Sequence, residues 1–414
     1  MRTLSVVSFV VLALLALATV ALSEPSSESW TQWGGPNQDF RAPSTGLATS
    51  WPEEGPKQLW SRDLGEGYSA ILVEDGRLYT MYRDEDQEVV IALDADSGKT
   101  IWEHRYEHAP AEGHITQFGE GPRSTPMIDG DRIYTIGVAG KMHCLKKKNG
   151  KVLWSHDLWG DEFGGSFLNH GYSSSPVAYE DTVLALVGGE GHSIVAFNKK
   201  DGSVAWKALD YTNSYSTPRV YDVGGQDQLI VFMAEALIGV DPSNGELAWE
   251  YPHNNQWGQN INMPVLVDGH LFMSTIEAGA KGLKLTRKGD KTEVEDVWTS
   301  RKIQFYHVTS VRDGDYVYGS TGSQVHFMSA VNVKTGEIAW RKRGFAKANV
   351  VHADGRLIIL DEDGKLSLTT ATPEDLTIHS EVSLLDKVAW TVPTIVGHTL
   401  FVRDKTNIMA LDLG

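Results

Sequence analysis

Three histidines lie close together at His104, His108 and His114, and imidazole clusters are common ligands for transition metals. The first two would share a face only on a helix, and here they leave a strand pattern, so their spacing argues against a metal. Nucleophilic catalysis fares no better, because no Ser, His and Asp fall into a recognisable order and Gly-x-Ser-x-Gly is absent. Cys144 is the only cysteine, which excludes an internal disulfide, a paired-cysteine haem attachment and a cysteine zinc site. It stands in an apolar run and reads as a packed core thiol. The net charge of -17 excludes a nucleic-acid partner, since phosphate binding depends on clustered Lys and Arg. The one basic run, LKKKNGK at 145–151, reads as a solvated hairpin tip. Binding chemistry remains, and it has to be positioned by the elements that follow.

Those elements repeat. Five times an apolar run ends in a short polar turn, a glycine, three residues and a tryptophan: ALDADSGKTIW from Ala92, CLKKKNGKVLW from Cys144, AFNKKDGSVAW from Ala196, GVDPSNGELAW from Gly239 and AVNVKTGEIAW from Ala330. Each copy holds an alternating strand, a tight turn closed by glycine, and a second strand that puts its tryptophan on the same face each time. Upstream, STPMIDGDRIY from Ser124, SSPVAYEDTVL from Ser174, NMPVLVDGHLF from Asn262 and TVPTIVGHTLF from Thr391 each open a strand with proline and turn it into the next. Four short antiparallel strands per unit make one propeller blade, too small to bury its apolar face alone.

Tryptophans 60, 102, 154, 206, 249, 298 and 340 fall in register, and the register places an eighth position near His379, where the tryptophan is missing. The chain stops at ALDLG, a third strand with no fourth, while KQLWSRD around Trp60 is a fourth strand with no partners before it. The expectation is an all-β, eight-bladed propeller over residues 57–414, its last blade closed by the N-terminal strand, which removes the open edges. Residues 24–56 read as a lead-in. Residues 1–23 read as a secretory signal peptide: a basic start at Arg2, an apolar run at 6–22 and small residues before the cut. An exported protein, periplasmic or extracellular and probing its partners as a monomer with no transmembrane span after signal removal, is the expectation.

The glycine-to-tryptophan signature resembles that of the quinoprotein-like eight-bladed propellers with pyrroloquinoline quinone (PQQ)-like repeats, over roughly residues 57–414. Within that family the chain is most similar to the non-catalytic members, which include the outer-membrane assembly factor BamB, and WTQWGGPNQDF at 30–40 is similar to the lead-in of secreted members. The resemblance implies a non-enzymatic binding or scaffold protein with a protein partner in the cell envelope and no cofactor. The alternative it carries is a PQQ- and calcium-dependent alcohol or sugar dehydrogenase, for which Glu120, Asp161, Glu162 and Asn262 offer oxygen ligands. The fifth copy, with a stretched turn at 282–298, and the seventh, without its tryptophan, depart from the pattern.

The register also says where a site belongs. The links from one blade's outer strand to the next blade's inner strand all emerge on one face, and two neighbouring links, 103–125 and 155–175, are about twice as long as most of the others. Long loops on a rigid scaffold are where binding resides. Aligning the inner strands puts Tyr68, Arg123, Ser173, Tyr215, Ile261, His307, Lys347 and Trp390 around the channel mouth. Tyr68, Arg123, Tyr215, His307 and Trp390 of that ring, with His114, Glu162, Phe163, His170 and Tyr172 from the long links, and Asn262, form the candidate set for a ligand or partner. No residue is nominated as catalytic or as a metal ligand.

Overall fold

The computed structural model describes residues 29–107, 113–253, 255, 257–307, 309–321, 325–386 and 388–414, all of it strands and connections. The strands form eight sheets. Seven blades are continuous in sequence, at 72–107, 127–157, 177–208, 219–252, 265–300, 311–343 and 349–383. The eighth joins Thr394–Val396, Thr399–Arg403 and Asn407–Asp412 to Lys57–Asp63, so the ring is closed by pairing the two ends of the chain. That closure is antiparallel, with Trp60 opposite Ala410.

Burial grades outward along each blade. In the first, Arg77–Asp84 and Gln87–Asp94 are buried almost throughout, whereas the outer strand Thr100–Glu107 alternates between exposed and half-buried positions. Neighbouring blades cover both faces of the middle strands, which is why those strands are continuous runs of Val, Ile and Leu. Cys144 is one of these core residues and burial pushes its thiol pKa up.

Five of the repeat tryptophans, Trp60, Trp102, Trp154, Trp206 and Trp298, dock on the glycine turn of the next blade. Trp102 sits across from Ala92 in its own sheet, while its indole Nε1 donates to the Lys147 carbonyl of the following blade at 3.0 Å. Trp60, Trp154, Trp298 and Trp340 do the same to Ala95, Lys199, Val333 and Thr372 at 2.8 to 3.2 Å. The ring lies against the turn glycine: Gly150 has φ +68, and a Cβ built on it would stand 2.5 Å from the Trp102 ring. Glycine is required twice at that position, for the left-handed backbone and for the contact. The run at 145–151 is thereby part of a blade interface, and Lys147 also pairs with Glu74 and Asp75 of the preceding blade.

One position differs from the sequence reading. In the seventh blade Leu368 pairs with Ser380 and His379 is the bulged residue, so the missing tryptophan is replaced by Ser380 rather than His379. The bulge precedes the tryptophan in the other blades too, as between Thr100 and Trp102, and counting residues without it shifts the register by one. Ser380 Oγ accepts the Trp51 backbone N–H at 2.8 Å, which fastens the lead-in to this blade.

Neighbouring inner strands are stitched by Thr125, Ser175 and Thr217, each standing before a proline. Thr125 Oγ1 accepts the Ala70 N–H at 3.1 Å, Ser175 Oγ the Thr125 N–H at 3.0 Å, and Thr217 Oγ1 the Ser175 N–H at 3.0 Å. The lead-in then crosses the channel. Trp30 bridges Val73, Ile128 donates to the Thr31 carbonyl, Trp33 Nε1 meets the Met263 sulfur at 3.0 Å, and Arg41–Ala42 runs parallel to Asn349–Ala353. Thr45 receives His398 on the eighth blade at 3.0 Å. These contacts lie where the inner strands end, so residues 30–47 close the channel on the face of the glycine turns. The signal segment at 1–23 and His108 lie outside the described residues.

Candidate functional site

On the opposite face, where the long links emerge, the channel opens into a cavity of about 440 Å³. All eight residues of the inner-strand ring line it: Tyr68, Arg123, Ser173, Tyr215, Ile261, His307, Lys347 and Trp390. His170 joins them from the second long link. Trp33 and Phe40 of the lead-in, edge to face at 5.4 Å, are also in its lining and form the floor.

The walls are largely aromatic. Trp390 lies 5.4 Å from Tyr68, 5.5 Å from Phe118 and 6.1 Å from His307, and His170 continues the belt to Phe118 and Tyr215 at 6.1 Å each. Two cations interrupt it. The Arg123 guanidinium lies 5.9 Å from the Tyr68 ring centre, its Nη2 donating to the Gly119 carbonyl at 3.0 Å. Lys347 Nζ stands 5.2 Å from the Trp390 ring centre and 2.8 Å from Glu362 Oε2, the oxygen that also accepts the Trp390 indole N–H at 3.0 Å. Burial opposes ionisation of Glu362, but these two hydrogen bonds outweigh it and hold its pKa below the usual range. No Asp or Glu belongs to the lining. In a chain of net charge -17 a lining with two basic side chains and no acidic one is informative.

The first long link is held in place from below. The Glu66 carboxylate accepts the backbone N–H groups of Glu120 and Gly121, and Tyr68 Oη donates to the Phe118 carbonyl at 2.5 Å. Gly119 has φ +100, and a Cβ there would fall 2.0 Å from Glu66 Oε1. The second long link is tied to the first through Ile115 N–H and the Asn169 carbonyl at 2.7 Å, and Tyr215 Oη donates to Asn169 Oδ1 at 2.8 Å. Both links are therefore built parts of the mouth.

Burial at this crowded mouth, assisted by Lys347 and His170, pushes the His307 pKa down to about 4, although the ring opens onto the cavity. Burial and the Arg123 charge lower that of His170. Burial pushes the Tyr68 and Tyr215 hydroxyls up to about 12. At neutral pH the walls consequently offer two fixed cations, neutral imidazoles and un-ionised phenols.

The other sequence candidates disperse. His114 packs beside Gly171, behind the mouth, and burial lowers its pKa. Glu162 pairs with His156 at 2.8 Å and Phe163 stacks edge-on against Phe197 at 5.7 Å, both toward the outer edge of the second and third blades. Tyr172 is fully buried and donates to the Leu186 carbonyl at 2.8 Å, so it is a core residue with no surface for a partner. Asn262 is buried on an inner strand with its amide 3.3 Å from Ser310 Oγ. Glu120 is bound to Arg83 at 2.9 Å and Asp161 is exposed, so the four oxygen donors considered for calcium do not converge. His104 stacks on Tyr106 at 5.7 Å on an outer strand. Among the described residues no group of three or more His, Cys, Asp or Glu could hold a metal ion, and no helix is long and apolar enough to cross a membrane.

Inner-strand alignment did not reach Phe118, Gln117 and Gln259, which enter from links, or the floor residues Trp33 and Phe40. The length of the first link was the signal for Phe118. Nothing in the repeat announced the floor.

Comparison with known proteins places this geometry. The family described as "Outer membrane protein assembly factor BamB" matches residues 41–118 and 86–342. Among curated relatives, BamB of Yersinia pestis is 21% identical over 358 residues, covering 84% of this chain and 76% of that protein. BamB of Escherichia coli K12 is 23% identical over 365 residues, covering 75% and 87%. Among solved structures, BamB from Moraxella catarrhalis superposes with a TM-score of 0.58 at 14% identity, covering 86% of this chain and 99% of that one. A quinohemoprotein alcohol dehydrogenase from Pseudomonas putida HK5 superposes with a TM-score of 0.66 at 13% identity, covering 94% and 80%. At such identities the structural likeness is one of fold.

Proposed function

Given that the chain belongs to the family described as outer membrane protein assembly factor BamB, we propose that it is an exported, non-enzymatic propeller that holds a protein partner in the cell envelope through its long-link face. One observation carries this reading. Phe118, Phe167, Trp257, Val325 and Val388 are large apolar side chains exposed by 37 to 63%, and all five stand on connections of that one face. Large apolar side chains left exposed together on one face are a mark of a protein-binding surface. The other exposed large apolar residues, such as Leu59, Ile101 and Leu153, lie on outer strands, one per blade edge or nearly so.

The dehydrogenase alternative is weakened by the donor set. A calcium-bound quinone needs oxygen ligands of high charge density, and the cavity lining contributes no carboxylate. The residues present do not fit that group, and no step is assigned to it.

The test is capture. Immobilised protein is exposed to detergent-solubilised envelope proteins of the source cell, and one defined protein should be retained, then lost when the 103–125 link is shortened or when Phe118 and Trp257 are replaced by Ser. Addition of PQQ and calcium should produce no dye reduction on alcohols or sugars. Quinone-dependent turnover would overturn the reading.

A further inference from the structure

The long-link cavity has a chemistry of its own, and what it selects rests on the reading of that face as a binding face. We propose that it takes the free C-terminal carboxylate of a polypeptide whose last side chain is aromatic or aliphatic.

Charge decides the first half. The lining carries Arg123 and Lys347 and no Asp or Glu. A cationic ligand, the other guest that an aromatic belt attracts, would meet two like charges, with the nearest carboxylate, Glu362, already engaged by Lys347 and the Trp390 indole. An anion meets the reverse. Arg123 is the stronger anchor of the two: it lines the cavity and the described residues give it no ion pair, while Lys347 is already held by Glu362 at 2.8 Å. A guanidinium is also the better fork for a planar carboxylate.

Shape decides the second half. The lead-in closes the channel with Trp33 and Phe40, so the cavity is blind. A chain entering it cannot thread through the propeller. At about 440 Å³ the cavity is of the size that holds a small ligand, which is room for a terminal residue and its neighbour and too little for a chain to enter, turn and leave. The Trp390, Tyr68 and Phe118 rings offer flat apolar walls beside Arg123 for the last side chain. Phe118 is both cavity wall and, at 40% exposure, part of the outer apolar surface. The ligand's body therefore has a continuous path from the cavity out over the face, as a peptide needs and an isolated small acid does not.

The experiment compares two fluorescein-labelled hexapeptides with neutral side chains, both ending in phenylalanine, one with a free carboxylate and one amidated, by anisotropy against the unmodified full chain. The free acid should bind roughly tenfold or more tightly than the amide, the increment expected for a charge-assisted hydrogen bond to a desolvated partner. N-acetylphenylalanine should compete only weakly, since it lacks the part that follows the rim. Arg123→Gln should bring the two peptides to equal affinity, and Lys347→Gln should narrow the gap by less. Because the acid and amide comparison uses the unaltered protein, a folding defect in either variant does not blunt it. Equal binding of acid and amide overturns the proposal. Binding of neither also overturns it, while the capture assay still judges the face as a protein-binding surface by itself. Competition by N-acetylphenylalanine as strong as by the peptide would replace the peptide with a free small acid and overturn it as well.

Discussion

Replacing Glu88 by Gln should flatten one part of the stability profile with pH. Glu88 is a fully buried carboxyl in the strand Gln87–Asp94, accepting the Val138 N–H of the next blade at 2.9 Å and the Tyr106 hydroxyl at 2.8 Å. Burial pushes its pKa up from 4.5 to about 7, against the hydrogen bonds of Val138 and Tyr106 and the charges of Arg83 and Arg123. The folded state therefore holds a proton that the unfolded chain has released between those two values. Stability from this group is fully present below about 4.5 and is lost as pH rises through about 7. At 1.36 kcal/mol per pKa unit the loss is about 3 kcal/mol. Other groups slope the opposite way: the buried His143 and His253 are pushed down to about 4, so their contribution is present above the usual 6.5 and is lost toward 4. A profile of the native protein alone would mix the two. The difference between native and Glu88→Gln protein isolates the carboxyl, since the amide keeps an acceptor for Val138 but does not titrate. Urea unfolding at pH 5, 6, 7 and 8 should show the variant gaining on the native protein by about 2.5 kcal/mol over that range. Parallel profiles would refute the assignment of a protonated carboxyl to the first blade interface.

Further measurements follow from the packing. Gly150→Ala must carry both a left-handed backbone and a collision with Trp102, and should lower unfolding stability by at least about 2 kcal/mol, read from denaturation midpoints. Gly76→Ala, with φ +69 and open space around the new methyl, should lose only about 1 kcal/mol in the same assay. Trp60→Ala removes the indole that docks the closing strand on Ala95 and should cost about 3 kcal/mol, with faster proteolysis at the chain ends. Glu362→Gln removes the counter-ion of Lys347 and should tighten binding of the free-acid peptide several-fold without moving the amide; an unchanged acid affinity would take Lys347 out of the anion site.

The local pattern carried a great deal. Glycine and tryptophan at fixed spacing reported the blade, because one contact needs both: the indole of one unit lies on the turn of the next. Proline at a fixed place reported the inner strand, and a side-chain register there is sufficient to find a ring, since equivalent positions in a closed array face the same axis. Hence the eight mouth residues were legible one by one. The register slipped by one in the seventh blade, where no tryptophan marks the position after the bulge.

Other features depended on segments far apart in sequence meeting. Glu162, Phe163 and Tyr172 come from the same long link as His170, yet only His170 reaches the cavity; which side chains of a long loop turn inward is set by its ties to Tyr215 and to the first link. Glu88 looks like a solvated strand residue until the second blade covers it. The lead-in reads as a polar and aromatic tail until it pairs with inner strands across the ring and becomes the floor. Sequence alone determined the blades, their number and the axis they surround, because these follow from a contact repeated between adjacent units. The tertiary structure decided that the lead-in floors the channel and that no carboxylate joins the lining of its mouth, because both depend on where the ends and long links come to rest once the ring has closed.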